Sequence, residues 1–211
     1  MDKRSNLIPG AEHIIFDFGG VLMAHDREGC LQAFRQMMAE TDITNVLGLD
    51  NDLPGTLRAQ FEIGEMSAEE FVLNVQKYCR PRTTERQVIE AWNKIHAGIA
   101  DSTWVEIKRL KDQGYHIYLF SNTDAIHWQH TLALYRDKID MYFDRVFLSF
   151  EMGLCKPDKN AYEYVNREID ACPDRICFID DKEANRLAAE KSVGWKTYKS
   201  IEELINNKHN E

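Results

Sequence analysis

The sequence lacks the features that mark fibrous, disordered, exported and membrane-embedded proteins. Only 5 of its 211 residues are proline and 11 are glycine, too few for a collagen-like or a low-complexity chain. No apolar run approaches the roughly 18 residues that a membrane-spanning helix needs. The first ten residues, MDKRSNLIPG, carry charge but no apolar signal-peptide core. The sequence therefore predicts a globular protein with neither an export signal nor a membrane anchor.

Basic residues are in the minority. The chain has 26 lysines and arginines against 35 aspartates and glutamates, which gives a formal net charge of -9. No basic stretch is long enough to follow a nucleic-acid backbone, so we expect no nucleic-acid partner. The negative field would also repel anionic substrates at long range. Any phosphate site must therefore neutralise charge locally, with a metal ion or a few fixed cations.

The cysteines are few and show no pairing pattern. They are odd in number and none is in CxxC spacing: Cys30, Cys79, Cys155, Cys172 and Cys177. Free thiols in a reducing compartment explain this distribution best, and we therefore predict a cytoplasmic protein.

Short apolar runs alternate with segments of helical period along most of the chain. The runs predict strands at 13–16, 115–120, 145–148, 176–179 and 195–198. The segments between them predict helices at 103–113, 125–134, 159–169 and 184–191. Alternating strands and helices indicate an α/β fold, a Rossmann-like parallel sheet with helices on both faces.

Residues 27–99 interrupt this alternation. They contain four amphipathic helical patterns, at 31–40, 56–65, 67–79 and 85–97, and no convincing strand. The simplest organisation is a core domain formed by residues 1–24 and 100–211, with an all-helical domain inserted at residues 25–99.

Polar residues follow the predicted strands, and in a parallel sheet such positions meet at one edge. They are Asp17, the Ser121-Asn122-Thr123 run, Lys156 in a loop, and the Asp180-Asp181 pair. Three carboxylates and one ammonium group leave an excess of negative charge, which a hard, oxygen-preferring dication would neutralise. Magnesium is the natural candidate, and with it Asp17 could attack phosphorus as a nucleophile. The sequence therefore predicts a small phosphorylated molecule as substrate.

Four strings with these spacings resemble the motifs of the haloacid dehalogenase superfamily. They are FDFGGVL at 16–22, SNT at 121–123, GLCKPD at 153–158 and FIDD at 178–181. FEIGEMSAEEF at 61–71 is similar to the helical cap of the branch that carries its cap between the first two motifs. Within that branch the chain looks most like the α-D-glucose-1-phosphate phosphatases and the phosphatase domain of soluble epoxide hydrolases.

The resemblance implies a role for each matching residue. Asp17 would accept the phosphoryl group and bind the metal, with the Gly19 carbonyl and Asp181 as further ligands. Asp180 would bind the metal directly or support its ligands from close by, and Asn185 would contact the residues that hold the metal. Ser121 and Asn122 would bind the phosphate or substrate, and Lys156 would pair with nucleophile and phosphate.

The first motif departs from the pattern of most phosphatases in this superfamily. They carry DxD, in which the second Asp protonates the leaving oxygen and later activates water, whereas this chain has Gly19. Proton transfer by a side chain is typically worth about 10²–10⁴-fold in rate. His25 or Asp26, just downstream, is a candidate to replace the missing acid.

His127 and His130 have the i, i+3 spacing of a metal-binding pair, but no third ligand is evident. We interpret them as part of an exposed helix face.

Two other functions remain open from the residues. A dehalogenase would use the same strand-end Asp without a metal, although Asp180 and Asp181 would repel a carboxylate substrate. A catalytically impaired phosphate-binding or regulatory module is also compatible with Gly19. The sequence leaves the choice between a monomer and a homodimer open.

Overall fold

A five-stranded parallel sheet lies at the centre of the computed structural model, which describes residues 8, 10–38, 43–49 and 55–206. The strands of the described residues are β1 (His13–Phe16), β2 (Ala24–His25), β3 (His96–Gly98), β4 (His116–Ser121), β5 (Arg145–Leu148), β6 (Ile176–Ile179) and β7 (Lys196–Tyr198). The main sheet has the order β5-β4-β1-β6-β7, and all its pairs are parallel. Strand β1 is therefore central, which places the residue that follows it in the middle of the sheet edge.

Helices cover the sheet and form the segment before β3. In chain order they are α1 (Arg27–Met37), α2 (Ile43–Leu47), α3 (Leu57–Glu62), α4 (Ala68–Gln76), α5 (Glu85–Asn93), α6 (Asp101–Asp112), α7 (Ala125–Tyr142), α8 (Ser149–Met152), α9 (Lys159–Ile169), α10 (Glu183–Val193) and α11 (Ile201–Asn206).

The central strands are buried on both faces. Ile14, Ile15 and Phe16 of β1 are fully buried, and Ile14 and Ile15 belong to separate hydrophobic clusters on opposite sides of the sheet. A strand covered on both sides reads as a continuous apolar run, which is why the strands could be found from the sequence. The predicted parallel α/β sheet is confirmed.

The segment between β2 and β3 forms most of a second hydrophobic cluster. Phe34, Phe61, Phe71, Val75 and Trp92 are at its centre, each no more than 1% exposed. Capping boxes begin α4, at Ser67 with Glu70, and α5, at Thr84 with Gln87. The cluster also includes Ile126 of α7, and the inserted domain at residues 25–99 stays a prediction.

This segment is not wholly helical. Helix α5 ends at Asn93, four residues earlier than the predicted helix, because the chain then forms β3 and pairs antiparallel with β2. Two such short strands carry no recognisable pattern of their own, so only their pairing identifies them. Helix α2 was also not predicted, and residues 39 and 40 of the first predicted helix lie outside the described residues.

Gly64 brings the helical segment very close to the core. Its φ is +75°, and a Cβ added there would lie 2.3 Å from the carbonyl oxygen of Phe150 in α8. Only glycine allows this approach, so this contact helps to fix the segment above the sheet edge.

Within the described ranges, no helix has both the length and the apolar character needed to cross a bilayer. All five cysteines are free thiols.

Candidate active site

The predicted strand-end residues meet at the carboxyl edge of the sheet. Asp17 follows β1, Ser121 ends β4, and Asp180 follows β6. All three are buried. Lys156 reaches the same place from the loop between α8 and α9 and is 3% exposed.

Lys156 joins two of the acids. Its Nζ donates to Asp17 Oδ1 at 2.8 Å, to Asp180 Oδ2 at 2.7 Å and to the carbonyl oxygen of Phe120 at 2.9 Å. Burial alone would lower the pKa of Lys156, but the two carboxylates raise it. The lysine is therefore a fixed positive charge with all three of its donors engaged.

Asp17 carries a destabilised negative charge. Burial raises its pKa to about 6, against the opposing effect of Lys156 and with a further increase from Asp180. One ammonium group is thus not enough to compensate the acids gathered here, and additional positive charge would favour the ionised carboxylate that a nucleophile needs.

Asp180 is held by four hydrogen bonds. Its Oδ1 accepts from the backbone amide of Lys182 at 2.9 Å, and its Oδ2 accepts from Lys156 Nζ. The side-chain Nδ2 of Asn185 donates to both carboxylate oxygens at 3.0 Å. The Tyr162 hydroxyl in turn donates to the Asn185 carbonyl oxygen at 2.9 Å. In this geometry Asp180 fixes the lysine, and Asn185 fixes Asp180.

The residues present fit a hard dication. Asp17, Asp180 and Asp181 each offer one oxygen, and these oxygens lie within 4.8 Å of one another. Only oxygen ligands are offered, which is the donor set that Mg²⁺ prefers. Asp181 is exposed and lies against Gly20, where an added Cβ would be 2.5 Å from Asp181 Oδ2. Gly20, with φ of +80°, leaves room for that carboxylate, and sequence reasoning had not singled it out.

Asn122 binds the backbone of Lys156. Its Nδ2 donates to the Lys156 carbonyl oxygen at 2.7 Å, and its Oδ1 accepts from the Lys156 amide at 2.9 Å. The amide therefore clamps the lysine loop to β4, while its predicted contact with substrate stays a prediction. Ser121 is 2% exposed and lies beside it at the cavity wall.

His25 occupies the space beside Gly19. A Cβ added to Gly19 would lie 2.5 Å from both Cε1 and Nε2 of the His25 ring. Asp26, the other predicted substitute for the acid, points elsewhere, because its carboxylate accepts from the Gly29 amide at 2.8 Å and caps α1.

The exposed position predicted for His127 is wrong. His127 is 7% exposed, and its Nδ1 lies 2.8 Å from Asp124 Oδ2 while its Nε2 donates to the Trp92 carbonyl oxygen at 3.1 Å. Because both partners are acceptors, both ring nitrogens carry hydrogen and the ring is positively charged. Burial would lower the pKa of His127, but Asp124 raises it. The sequence does contain a signal for this pair, the DxxH spacing of the N-cap residue Asp124 and His127, because side chains at i and i+3 share one face of a helix.

Two adjoining cavities open at this edge. The first, of about 120 Å³, is lined by the predicted residues Asp17, Gly19, Ser121, Asn122, Lys156 and Asn185, and by others including His25, Arg58, Glu62, Trp92, His96, His127 and Lys182. The second, of about 410 Å³, lies between α3 and the Lys156 loop. Arg58, Glu62, Asn122 and Lys156 line both cavities. The side chains of Arg58 and Glu62 therefore stand between the acids and the larger space.

Comparison with known proteins agrees with this arrangement. A family model described as haloacid dehalogenase-like hydrolase matches residues 11–192. The chain belongs to this family. This haloacid dehalogenase-like hydrolase is 26% identical, over 197 residues, to the D-ribitol-5-phosphate phosphatase of Bacteroides thetaiotaomicron, covering 89% of this chain and 90% of that relative.

Two solved structures of the same family are also similar. One is an enzyme from Bacteroides thetaiotaomicron in complex with magnesium and inorganic phosphate, with a TM-score of 0.78, 27% identity and coverage of 89% of this chain and 93% of that one. The other is a predicted haloacid dehalogenase-like family hydrolase from Porphyromonas gingivalis, with a TM-score of 0.76, 29% identity and coverage of 89% of this chain and 90% of that one. The likeness extends over nearly the whole length of this haloacid dehalogenase-like hydrolase.

Proposed function

We propose that this protein is a magnesium-dependent phosphatase of small phosphorylated metabolites that forms a phospho-aspartate at Asp17. The observation that carries the proposal is the buried contact of Lys156 with Asp17 and Asp180 beside a third carboxylate, Asp181. A site with this charge balance binds a dication, and the dication and lysine together accept a phosphoryl group.

The relatives support the same chemistry. One similar protein is named a phosphatase of D-ribitol 5-phosphate, and one similar structure contains both magnesium and inorganic phosphate. The subgroup of glucose-1-phosphate phosphatases suggested by the sequence stays a prediction.

The chain's own residues can position the reaction. Lys156 holds Oδ1 of Asp17, so the carboxylate faces the cavity in one orientation while the ammonium group stabilises charge on the transferred phosphoryl group. Asp17, Asp181 and the Gly19 carbonyl would hold Mg²⁺, which would offset the negative charge of acids and phosphate. The phosphorus–oxygen bond to the leaving group breaks as Asp17 bonds to phosphorus, and water then hydrolyses the acyl phosphate.

The cavities support a small, polar leaving group. The first cavity, of about 120 Å³, is small, and the second begins at the Arg58–Glu62 pair, in which Arg58 Nε lies 3.4 Å from Glu62 Oε1. Charged hydrogen-bonding groups at this junction suit the hydroxyl groups of a polyol or sugar phosphate.

Displacement of halide from a haloacid fits the site less well. A haloacid carries its own carboxylate, which Asp17, Asp180 and Asp181 would repel at close range. A cytoplasmic location, where phosphorylated metabolites and free thiols coexist, belongs to the same proposal.

Asp17→Asn tests the proposal directly. The variant should release no phosphate from a panel of sugar, polyol and aryl phosphates in Mg²⁺, whereas the wild type should do so and lose the activity in EDTA. Asp174→Asn, at an exposed carboxylate in the turn Pro173–Arg175, is the matched control and should keep full activity. Wild-type protein inactive on the whole panel, or an Asp17→Asn variant that retains turnover, would refute the assignment.

A further inference from the structure

The His25 ring stands where a side chain at position 19 would project. The Cβ of any other residue at Gly19 would meet Cε1 and Nε2 of this ring at 2.5 Å, whereas Nδ1 is more distant, at 3.8 Å. Gly19 does not have a positive φ, so its backbone would accept a side chain if the ring were absent. The His25 ring therefore explains why residue 19 is a glycine, because the ring occupies the space that a side chain there would need.

The fold holds His25 at this position. His25 lies in β2 and is paired with His96 in β3, and their rings stack with centroids 6.4 Å apart and planes at 8°. His96 also packs against the buried, charged His127 ring, with the two ring centroids 4.5 Å apart. His25 is nevertheless an exposed residue, and it lines the first cavity with Asp17 and Lys156. A ring that is supported from behind and open to the cavity can touch a bound substrate.

We infer that His25 is the acid and base of the reaction, replacing the carboxylate that most related phosphatases carry at the position of Gly19. This inference rests on the proposed phosphatase function. As Asp17 bonds to phosphorus, the bond to the leaving oxygen breaks and the Nε2 proton of the imidazolium passes to that oxygen. In the second step the neutral Nε2 takes a proton from water as the water oxygen bonds to phosphorus. This step regenerates the Asp17 carboxylate and releases hydrogen phosphate.

Leaving groups of different basicity test the acid role. The value of kcat/KM reports the steps up to formation of the phosphoryl enzyme, and only a basic alkoxide leaving group needs the proton there. For His25→Ala we expect kcat/KM to fall about 10²–10⁴-fold with an alkyl phosphate but only severalfold with p-nitrophenyl phosphate. His25→Gln, which preserves much of the side-chain volume but cannot transfer the proton, should show the same selective loss.

The base role has a separate signature. In His25→Ala, p-nitrophenol should be released in a burst of one equivalent per enzyme, followed by a slow steady state in which Asp17 stays phosphorylated. His130→Ala is the matched control, because His130 packs on His96 with centroids 6.1 Å apart but does not line the cavity. It should show neither the selective loss nor the burst.

Moving the acid back provides the strongest test. In Gly19→Asp/His25→Ala the new carboxylate would enter the space that the ring vacates, and kcat/KM for the alkyl phosphate should recover at least tenfold over His25→Ala. Equal losses on both substrates, no loss on either, or a folded double variant without recovery would overturn the role of His25. A wild type that hydrolyses neither substrate would instead refute the phosphatase function itself.

Discussion

At the scale of single residues, the site is dominated by charge removed from water. Asp17 is buried among two other acids, and the buried ammonium group of Lys156 compensates only part of their charge. A carboxylate whose pKa is raised to about 6 in the folded protein, from 3.8, is less stable in its ionised form than it is in the unfolded chain. Such a group reduces stability while it prepares a reactive nucleophile.

Replacing this acid should stabilise the metal-free protein. Because the folded-state pKa is raised, the stabilising contribution of Asp17 is present below about 3.8 and is lost as the pH rises through about 6. In EDTA at pH 7.5 we expect Asp17→Asn to raise the free energy of unfolding by up to about 3 kcal/mol, and by much less at pH 4.5. Urea unfolding at both pH values measures the difference. A variant less stable than the wild type at pH 7.5 would contradict this account.

At the scale of elements, α5 is attached to α7 by a buried polar contact. Trp92 Nε1 donates to Asp124 Oδ2 at 3.0 Å, and His127, which pairs with the same carboxylate, binds the Trp92 carbonyl oxygen. Trp92 and His127 line the first cavity. This part of the cavity wall therefore depends on the Asp124–His127 pair of α7 and on the two hydrogen bonds that join the pair to Trp92.

This pair should make stability depend on pH. The pKa of His127 is raised and that of Asp124 is lowered, since the pair outweighs burial, which opposes both shifts. The pair should therefore be fully effective between about pH 4 and 6.5 and weaken at higher pH. We expect His127→Gln to lower the free energy of unfolding, measured by chemical unfolding, by about 3 kcal/mol at pH 6 and by less at pH 9. His116→Gln, whose exposed ring is 3.7 Å from Asp144, should change stability by no more than about 1 kcal/mol. An equal cost at both pH values would show that the pair is not responsible.

The approach of the helical segment to α8 can be tested with two glycines. Gly64 and Gly55 have similar positive φ, +75° and +86°, but an added Cβ meets the Phe150 carbonyl oxygen only at Gly64. Gly55→Ala should lower the free energy of unfolding by about 1 kcal/mol through backbone strain alone. Gly64→Ala should lower the free energy of unfolding by more than this. It should also raise KM, because the clash would move α3, which lines both cavities. Steady-state kinetics and thermal unfolding of both variants check this. Two variants with the same KM and the same stability would show that the Gly64–Phe150 approach does not position α3.

At the scale of the whole molecule, a net charge of -9 makes the site dependent on its cation. Acids cluster at one sheet edge in a protein already negative overall, so binding of a dication relieves repulsion in the folded state. The unfolded chain does not hold these carboxylates together.

Magnesium should therefore stabilise the protein without substrate. At a concentration 100 times the Kd, binding to the folded state adds about 2.7 kcal/mol. Differential scanning fluorimetry should show a rise in Tm with Mg²⁺ in the wild type and a much smaller one in Asp181→Asn. Asp174→Asn should behave like the wild type. The same rise in all three proteins would place the ion elsewhere.

The sequence by itself determined the five strands of the main sheet, most helices and the meeting of Asp17, Lys156, Asp180 and Asp181. Each of these follows from local signals, because an apolar run marks a buried strand and parallel strands bring their ends to one edge. The tertiary structure alone decided that β2 pairs with β3, that His127 is buried, and that His25 fills the space at Gly19. These features depend on contacts between residues far apart in the chain, such as Trp92 with Asp124, and local periodicity carries no information about which distant side chain will occupy a given space.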